Sequence, residues 1–157
     1  TAGKKTLYFL VRSCSNLNTP RFTSMKLNNL IYWLTRIIAA VIMLQTLYFK
    51  FSGSEESVYI FSSLGMEPWG RIGTGVLELI ASVLLLYPRT TTIGALLGAG
   101  LMGGAVFFHL TKLGIAVKDD GGQLFIYALL VLLSCSILLF INRRDIFDFA
   151  NRLIFKK

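Results

Sequence analysis

The sequence predicts an all-α membrane protein in which four transmembrane helices form an antiparallel bundle. Of its 157 residues, 54% are hydrophobic and 15% are charged, and the mean hydropathy is +0.64. Soluble domains are about 45–50% apolar and about 25% charged. Four apolar runs, each near the roughly 20 residues that cross a bilayer as a helix, occupy most of the chain. This composition excludes a water-soluble enzyme and a disulfide-stapled secreted module.

Residues 1–24 differ from the rest because they are basic and rich in Ser, Thr and Asn. Their apolar stretch, Leu7–Val11, is too short for the core of a signal peptide. Met25-Lys26-Leu27-Asn28 looks like a natural N-terminus. We therefore expect residues 1–24 to be a basic upstream extension without a fold of its own, such as a misassigned start, or alternatively a stretch that lies on the membrane surface. The membrane domain is then 25–144, and a basic tail, 145–157, follows it.

The four spans are predicted at about 29–49, 69–87, 92–113 and 123–141. Between the first two spans, Ser57–Leu64 is apolar and aromatic and predicts a short interfacial helix, for which Ser54 is a suitable N-cap. Pro88 ends the second span. Asp119-Asp120-Gly121-Gly122 is a turn-forming run before the fourth span.

The distribution of Lys and Arg predicts the orientation. Eleven of them flank the spans on one side, in the N-terminal segment, in the turn at Arg89 and in the tail, whereas four lie on the opposite side among acidic residues. Cytoplasmic loops carry this excess, so both termini are expected in the cytoplasm of a bacterium, with the protein multi-pass in the inner membrane. The net charge of +8 then faces anionic lipid headgroups, and nucleic acid is not an expected partner.

The third span carries two GxxxG spacings, Gly94 to Gly98 and Gly100 to Gly104. This spacing allows two helices to approach closely in lipid. Packing inside the bundle is favoured over homodimerisation, because a partner helix of the same chain is always available.

Ionisable side chains within the spans are candidate functional residues, since each costs at least about 2.5–3.5 kcal/mol near the bilayer centre. Glu78 lies about 13 Å from the outer end of its helix. Arg71 shares a face with it, seven residues earlier, and glutamate side chains lean towards the helix N-terminus. We therefore expect Glu78 to lie near Arg71, Lys50 and His109 in the outer half of the membrane. Arg36, near the cytoplasmic end, is expected to anchor the first span by snorkelling.

Lys50, Arg71, Glu78 and His109 are thus candidates for ligand binding or proton handling. Purely structural roles stay open: an interhelical hydrogen bond for Glu78, snorkelling for Lys50 and a packed hydrogen-bonding ring for His109. The one histidine and the two cysteines, Cys14 and Cys135, form neither a metal-site pattern nor a CxxC pair. No catalytic residue, metal site or covalent cofactor is predicted.

Several short motifs, in order along the chain, resemble the DoxX-like family over about 26–144. They are Lys50-Phe51-Ser52-Gly53, Glu67-Pro68, Arg71-Ile72-x-x-Gly75-x-x-Glu78-Leu79, Pro88, and Gly103-Gly104-Ala105 leading to His109. The resemblance implies a four-helix membrane protein of accessory type. Family members are small subunits linked to quinol oxidation, to thiosulfate:quinone oxidoreduction or to oxidative-stress complexes, and distant relatives act as membrane chaperones or cargo receptors.

Three functions follow as hypotheses. The first is a redox-associated accessory subunit whose outer polar pocket binds a quinone-like ligand and which needs a partner to move electrons. The second is a structural or assembly subunit that packs against a larger membrane protein or a second copy of the chain. The third, a small-solute or proton transporter, is least favoured because four spans without a repeated hydropathy pattern are few for alternating access.

Overall fold

The fold comes from a computed structural model, which describes residues 21–118 and 120–143, with side chains from residue 29 onward. Its helices are α1 (Arg21–Ser52), α2 (Glu55–Ser63), α3 (Trp69–Leu86), α4 (Thr91–Phe108) and α5 (Gln123–Ile141), and a π-helical turn, His109–Leu113, continues α4. All regular structure in this part of the chain is helical, so the predicted fold class is confirmed. Most of the expected N-terminal extension and all of the tail at 145–157 lie outside the described residues, although α1 already begins at Arg21.

Four of the described helical segments are long and apolar enough to cross a membrane. They are Asn29–Ser52, Trp69–Leu86, Thr91–Leu113 and Gln123–Ile141. Each boundary agrees with the predicted span to within three residues. The chain is therefore a multi-pass membrane protein.

The short helix α2 begins where the sequence predicts it. The Ser54 side chain accepts a hydrogen bond from the Ser57 backbone N–H at 3.3 Å, as an N-cap does. Glu55 and Glu56 occupy the first turn, where the helix dipole favours negative charge. Phe61 is buried, so α2 turns an apolar face inward.

Helix α4 packs against both α3 and α5, and its first two glycines allow this. A Cβ added at Gly94 would lie 2.6 Å from the backbone nitrogen of Leu85, and one added at Gly98 would lie 3.0 Å from the Cys135 sulfur. The first GxxxG spacing therefore serves packing inside the bundle, as predicted. A Cβ at Gly100 or at Gly104 would meet no atom within 4 Å, so helix packing does not require the second spacing.

Arg36 does not snorkel, and that prediction is wrong. The residue is 1% exposed. Its Nε donates to the Leu85 carbonyl at 2.8 Å and its Nη2 to the Leu86 carbonyl at 2.7 Å, while the guanidinium lies 4.5 Å from the centre of the Trp33 ring. The last carbonyls of a helix lack partners within that helix. The Arg36 guanidinium donates hydrogen bonds to the last carbonyls of α3 and thereby links α1 to α3.

Candidate ligand-binding cavity

The central polar feature is an ion pair between α1 and α3. The Lys50 Nζ lies 2.8 Å from Oε1 and 2.6 Å from Oε2 of Glu78. The hydroxyl of Thr46, one turn before Lys50, lies 3.2 Å from the same Oε2. Glu78 is only 3% exposed, and a charge at that burial needs a partner and further hydrogen bonds. The adjacent helix supplies the partner, and the Thr46 hydroxyl hydrogen is shared between Glu78 and the Met43 carbonyl, which lies 2.8 Å away.

Arg71 takes a different partner from the one expected. Its Nη2 lies 2.7 Å from Oε1 of Glu67, one turn earlier on the chain, and its Nη1 donates to the backbone carbonyl of Lys50. The expectation that Arg71 joins Glu78 is therefore wrong, because a closer acid and a helix-end carbonyl occupy its guanidinium. Arg71 instead fastens the end of α1, from which Lys50 reaches Glu78.

His109 opens the π-helical turn and is 5% exposed. Its Nδ1 lies 2.9 Å from the Gly114 carbonyl oxygen, and its ring meets the Phe125 ring edge-on with centroids 5.7 Å apart. A carbonyl only accepts hydrogen bonds, so Nδ1 carries a hydrogen and donates it, and Nε2 is the ring nitrogen left for other partners. Such π-helical turns often occur at functional sites.

Asp120 holds the loop between His109 and α5. Its Oδ1 accepts from the backbone N–H of Val117 and of Gly122, both at 2.8 Å, and its Oδ2 accepts from Leu124 at 3.1 Å. Partial burial acts to raise the pKa of Asp120. The three N–H donors, together with the nearby His109, outweigh that effect and hold the pKa below its usual value. The predicted turn is confirmed for its described residues, and it fixes the start of α5.

These elements enclose a cavity of about 580 Å³. It lies between α1, α3, α4 and α5, and α2 and the loop before α5 contribute to its lining at the end where Lys50 and His109 lie. Lys50, Glu78 and His109 all line it, whereas Arg71 does not. Three of the predicted residues thus share one cavity.

Further polar residues of the cavity escaped the sequence analysis, among them Thr46, Gln123 and Tyr127. The Gln123 side-chain amide donates to the Tyr127 hydroxyl at 2.7 Å, which leaves the phenolic hydrogen for another acceptor. Spacing offered a signal for each. Thr46 lies one helical turn from Lys50, and Gln123 and Tyr127 are four residues apart on one face of α5.

The fold and the cavity together define an α-helical membrane protein with a ligand-sized polar site inside its bundle. The model of the DoxX-like family matches residues 34–137, which is more than half of the chain and includes Lys50, Glu78 and His109. The chain belongs to the DoxX-like family. No curated protein and no solved structure matches it.

Proposed function

We propose that this protein is an accessory membrane component whose cavity binds a lipid-soluble ligand with a quinone-like head group. The observation that carries the proposal is the Lys50–Glu78 ion pair, set in the wall of a mainly apolar cavity of about 580 Å³. Ligand pockets typically measure about 300–1,000 Å³ and combine apolar walls with a few placed polar groups. The volume and the lining both match that description.

The residues of the cavity fit the chemistry of such a head group, which is a flat apolar ring with hydrogen-bond-accepting carbonyl oxygens. The Lys50 ammonium has three N–H groups, and Glu78 engages it through two oxygens. A third N–H and the free hydroxyl hydrogen of Tyr127 are available as donors. A bound quinone supplies the capacity to accept electrons and protons. Glu78 and the Nε2 of His109 can accept the two protons that a bound quinol releases when a partner protein takes its electrons.

Electron transfer itself requires a partner. The sequence contains no haem-ligand pair, no dinucleotide-binding motif and no cysteine cluster. We therefore place the protein in a redox-associated complex of a bacterial inner membrane, with cytoplasmic termini and with the polar end of the cavity towards the periplasm. This assignment rests on the head-group chemistry of the cavity and on the charge distribution of the chain.

Equilibrium binding of a short benzoquinone to the purified protein in lipid nanodiscs tests the proposal. Glu78→Gln removes the charge that orients the Lys50 ammonium, and we expect it to weaken binding by about tenfold or more, in line with loss of a buried charge-assisted contact. Glu55→Gln is the matched control, because Glu55 is exposed and does not line the cavity. Absence of binding to the unaltered protein, or equal losses in the two variants, would refute the proposal.

A structural role is the second candidate, and one observation favours it. Both Lys50–Glu78 and Arg36 with the end of α3 tie α1 to α3, so these charged residues already have a task without any ligand. In that case Glu78→Gln lowers the stability or the abundance of the protein, and the unaltered protein binds no benzoquinone. Co-purification of a stoichiometric membrane partner would then identify an assembly factor.

A further inference from the structure

The cavity is much longer than a single ring. It is lined by residues from position 42 to position 50 on α1, from 100 to 109 along α4 and its π-helical turn, and from 123 to 131 on α5. At about 1.5 Å of rise per residue, each of these stretches spans about 12–13 Å. Lys50 and His109 lie at one end of that length, and Glu78 reaches from Lys50 back to Thr46. A head group held there leaves the inner part of the cavity unfilled.

The inner part is a groove that two glycines keep open. Gly100 and Gly104 line the cavity, and a Cβ at either position would meet no atom within 4 Å. At Gly94, by contrast, a Cβ would lie 2.6 Å from backbone. Packing therefore demands Gly94, whereas the missing side chains at Gly100 and Gly104 leave space in the cavity.

One glycine of the groove is also exposed on the helix surface. Gly100 is exposed while it lines the cavity, and it lies near the middle of the span Thr91–Leu113. At that depth in a bilayer the surrounding medium is acyl chain rather than water. A path out of the cavity beside Gly100 would therefore lead sideways into lipid.

We infer that the ligand is an amphiphile with a flexible apolar tail, which lies along the groove at Gly100 and Gly104 and leaves the protein sideways into the bilayer. The inference rests on the proposed function for the position of the head group, at Lys50 and Glu78. It adds the chemical build of the whole ligand, a head group that carries a flexible apolar tail. It also assigns the two glycines as specificity-determining residues.

The tail adds little to the binding affinity, but the groove must have room for it. Lipid acyl chains are as apolar as the side chains of the groove, so a tail gains little free energy when it moves from one to the other. A side chain that fills the groove, however, forces a tailed ligand to clash or to withdraw its head group. Blocking the groove should therefore discriminate between ligands with and without a tail.

Gly100→Leu blocks the groove, and Gly103→Leu is its matched control. A Cβ at Gly103 also meets no atom within 4 Å, but Gly103 does not line the cavity. The probes are 2,3-dimethoxy-5-methyl-1,4-benzoquinone and its decyl derivative, measured in nanodiscs with protein-free discs as the blank for partitioning. We expect Gly100→Leu to weaken binding of the decyl probe by about tenfold or more, and binding of the ring-only probe by less than about twofold. Gly103→Leu should change neither.

The outcomes separate this inference from the proposed function. Equal effects of Gly100→Leu on the two probes, or no effect on either, would overturn the tail groove, as would a native protein that binds the ring but not the decyl derivative. In those cases the head-group proposal stands. Failure of the native protein to bind either probe would overturn both. If Gly100→Leu does not fold, Ile42→Phe narrows the same groove from α1 and should give the same discrimination.

Discussion

Replacement of Lys50 by methionine leaves the Glu78 carboxylate buried among apolar helices without its counter-charge. The two groups are 2.6 Å apart, and their side chains are 16% and 5% exposed. At an effective dielectric constant of about 20, that distance gives an attraction of about 6 kcal/mol. Desolvation of the two ions costs several kcal/mol each and offsets most of it. The intact pair therefore contributes little net free energy to folding, whereas a single buried charge without its partner destabilises the fold strongly.

We expect Lys50→Met to lower the free energy of unfolding by about 3–5 kcal/mol. Glu78→Leu should cost less, because Lys50 lies in the last turn of the first span and its long side chain can extend to the headgroups. The double variant Lys50→Met/Glu78→Leu should recover most of the loss, since no uncompensated charge remains in the bundle.

Reversible unfolding in mixed micelles, followed by circular dichroism, measures these free energies. Lys112→Met is the control, because Lys112 is exposed and a surface change of this kind stays within about 0.5 kcal/mol. A double variant that is as unstable as Lys50→Met alone would refute the reasoning. It would show that the methionine itself, rather than the orphaned carboxylate, causes the loss.

Three further changes test other parts of the fold by thermal unfolding. Arg36→Leu leaves the Leu86 carbonyl without its donor and the Leu85 carbonyl with only the 3.4 Å contact from the Thr91 hydroxyl. This change should cost about 1–3 kcal/mol, whereas no loss would mean that water satisfies both carbonyls. Gly94→Ala places a methyl group against backbone and should lower the free energy of unfolding by about 1–3 kcal/mol. Gly103→Ala, whose methyl group meets no other atom, should be neutral or stabilising. Equal effects of the two variants would contradict the packing role of Gly94. Because folding lowers the pKa of Asp120, its contribution is present above the unfolded value of about 3.9 and is lost as the pH falls through the folded value. Asp120→Asn should lack that acid-induced loss of stability, and parallel pH profiles for variant and native protein would contradict the assignment.

Hydropathy and local signals predicted most of the fold. The four spans, the cap at Ser54 and the turn at Asp120 depend on residues close together in the chain, so the sequence states them directly. The pairing of Lys50 with Glu78 followed from the cost of a charge in lipid, which forces a partner from a neighbouring helix.

What the sequence did not predict depends on rotation and stagger between helices. Arg36 is buried because the end of α3 lies beside it. The carbonyls that it contacts are about 50 residues away in the sequence, so the residues around Arg36 give no signal of them. Arg71 was expected beside Glu78, but it pairs with Glu67, which lies only one helical turn away. The cavity residues Gln123 and Tyr127 carry no charge, so the cost of placing a charge in the membrane does not mark them as candidates.

The quinone content of the protein purified from its native membrane tests the proposed function most directly. Extraction and mass spectrometry of the bound small molecules, with Glu78→Gln prepared in parallel, gives a molar ratio of ligand to protein. The proposal predicts a tailed quinone near one per chain in the native protein and a marked loss in the variant. A native protein with no more quinone than the surrounding lipid, or equal amounts in the two preparations, would contradict it.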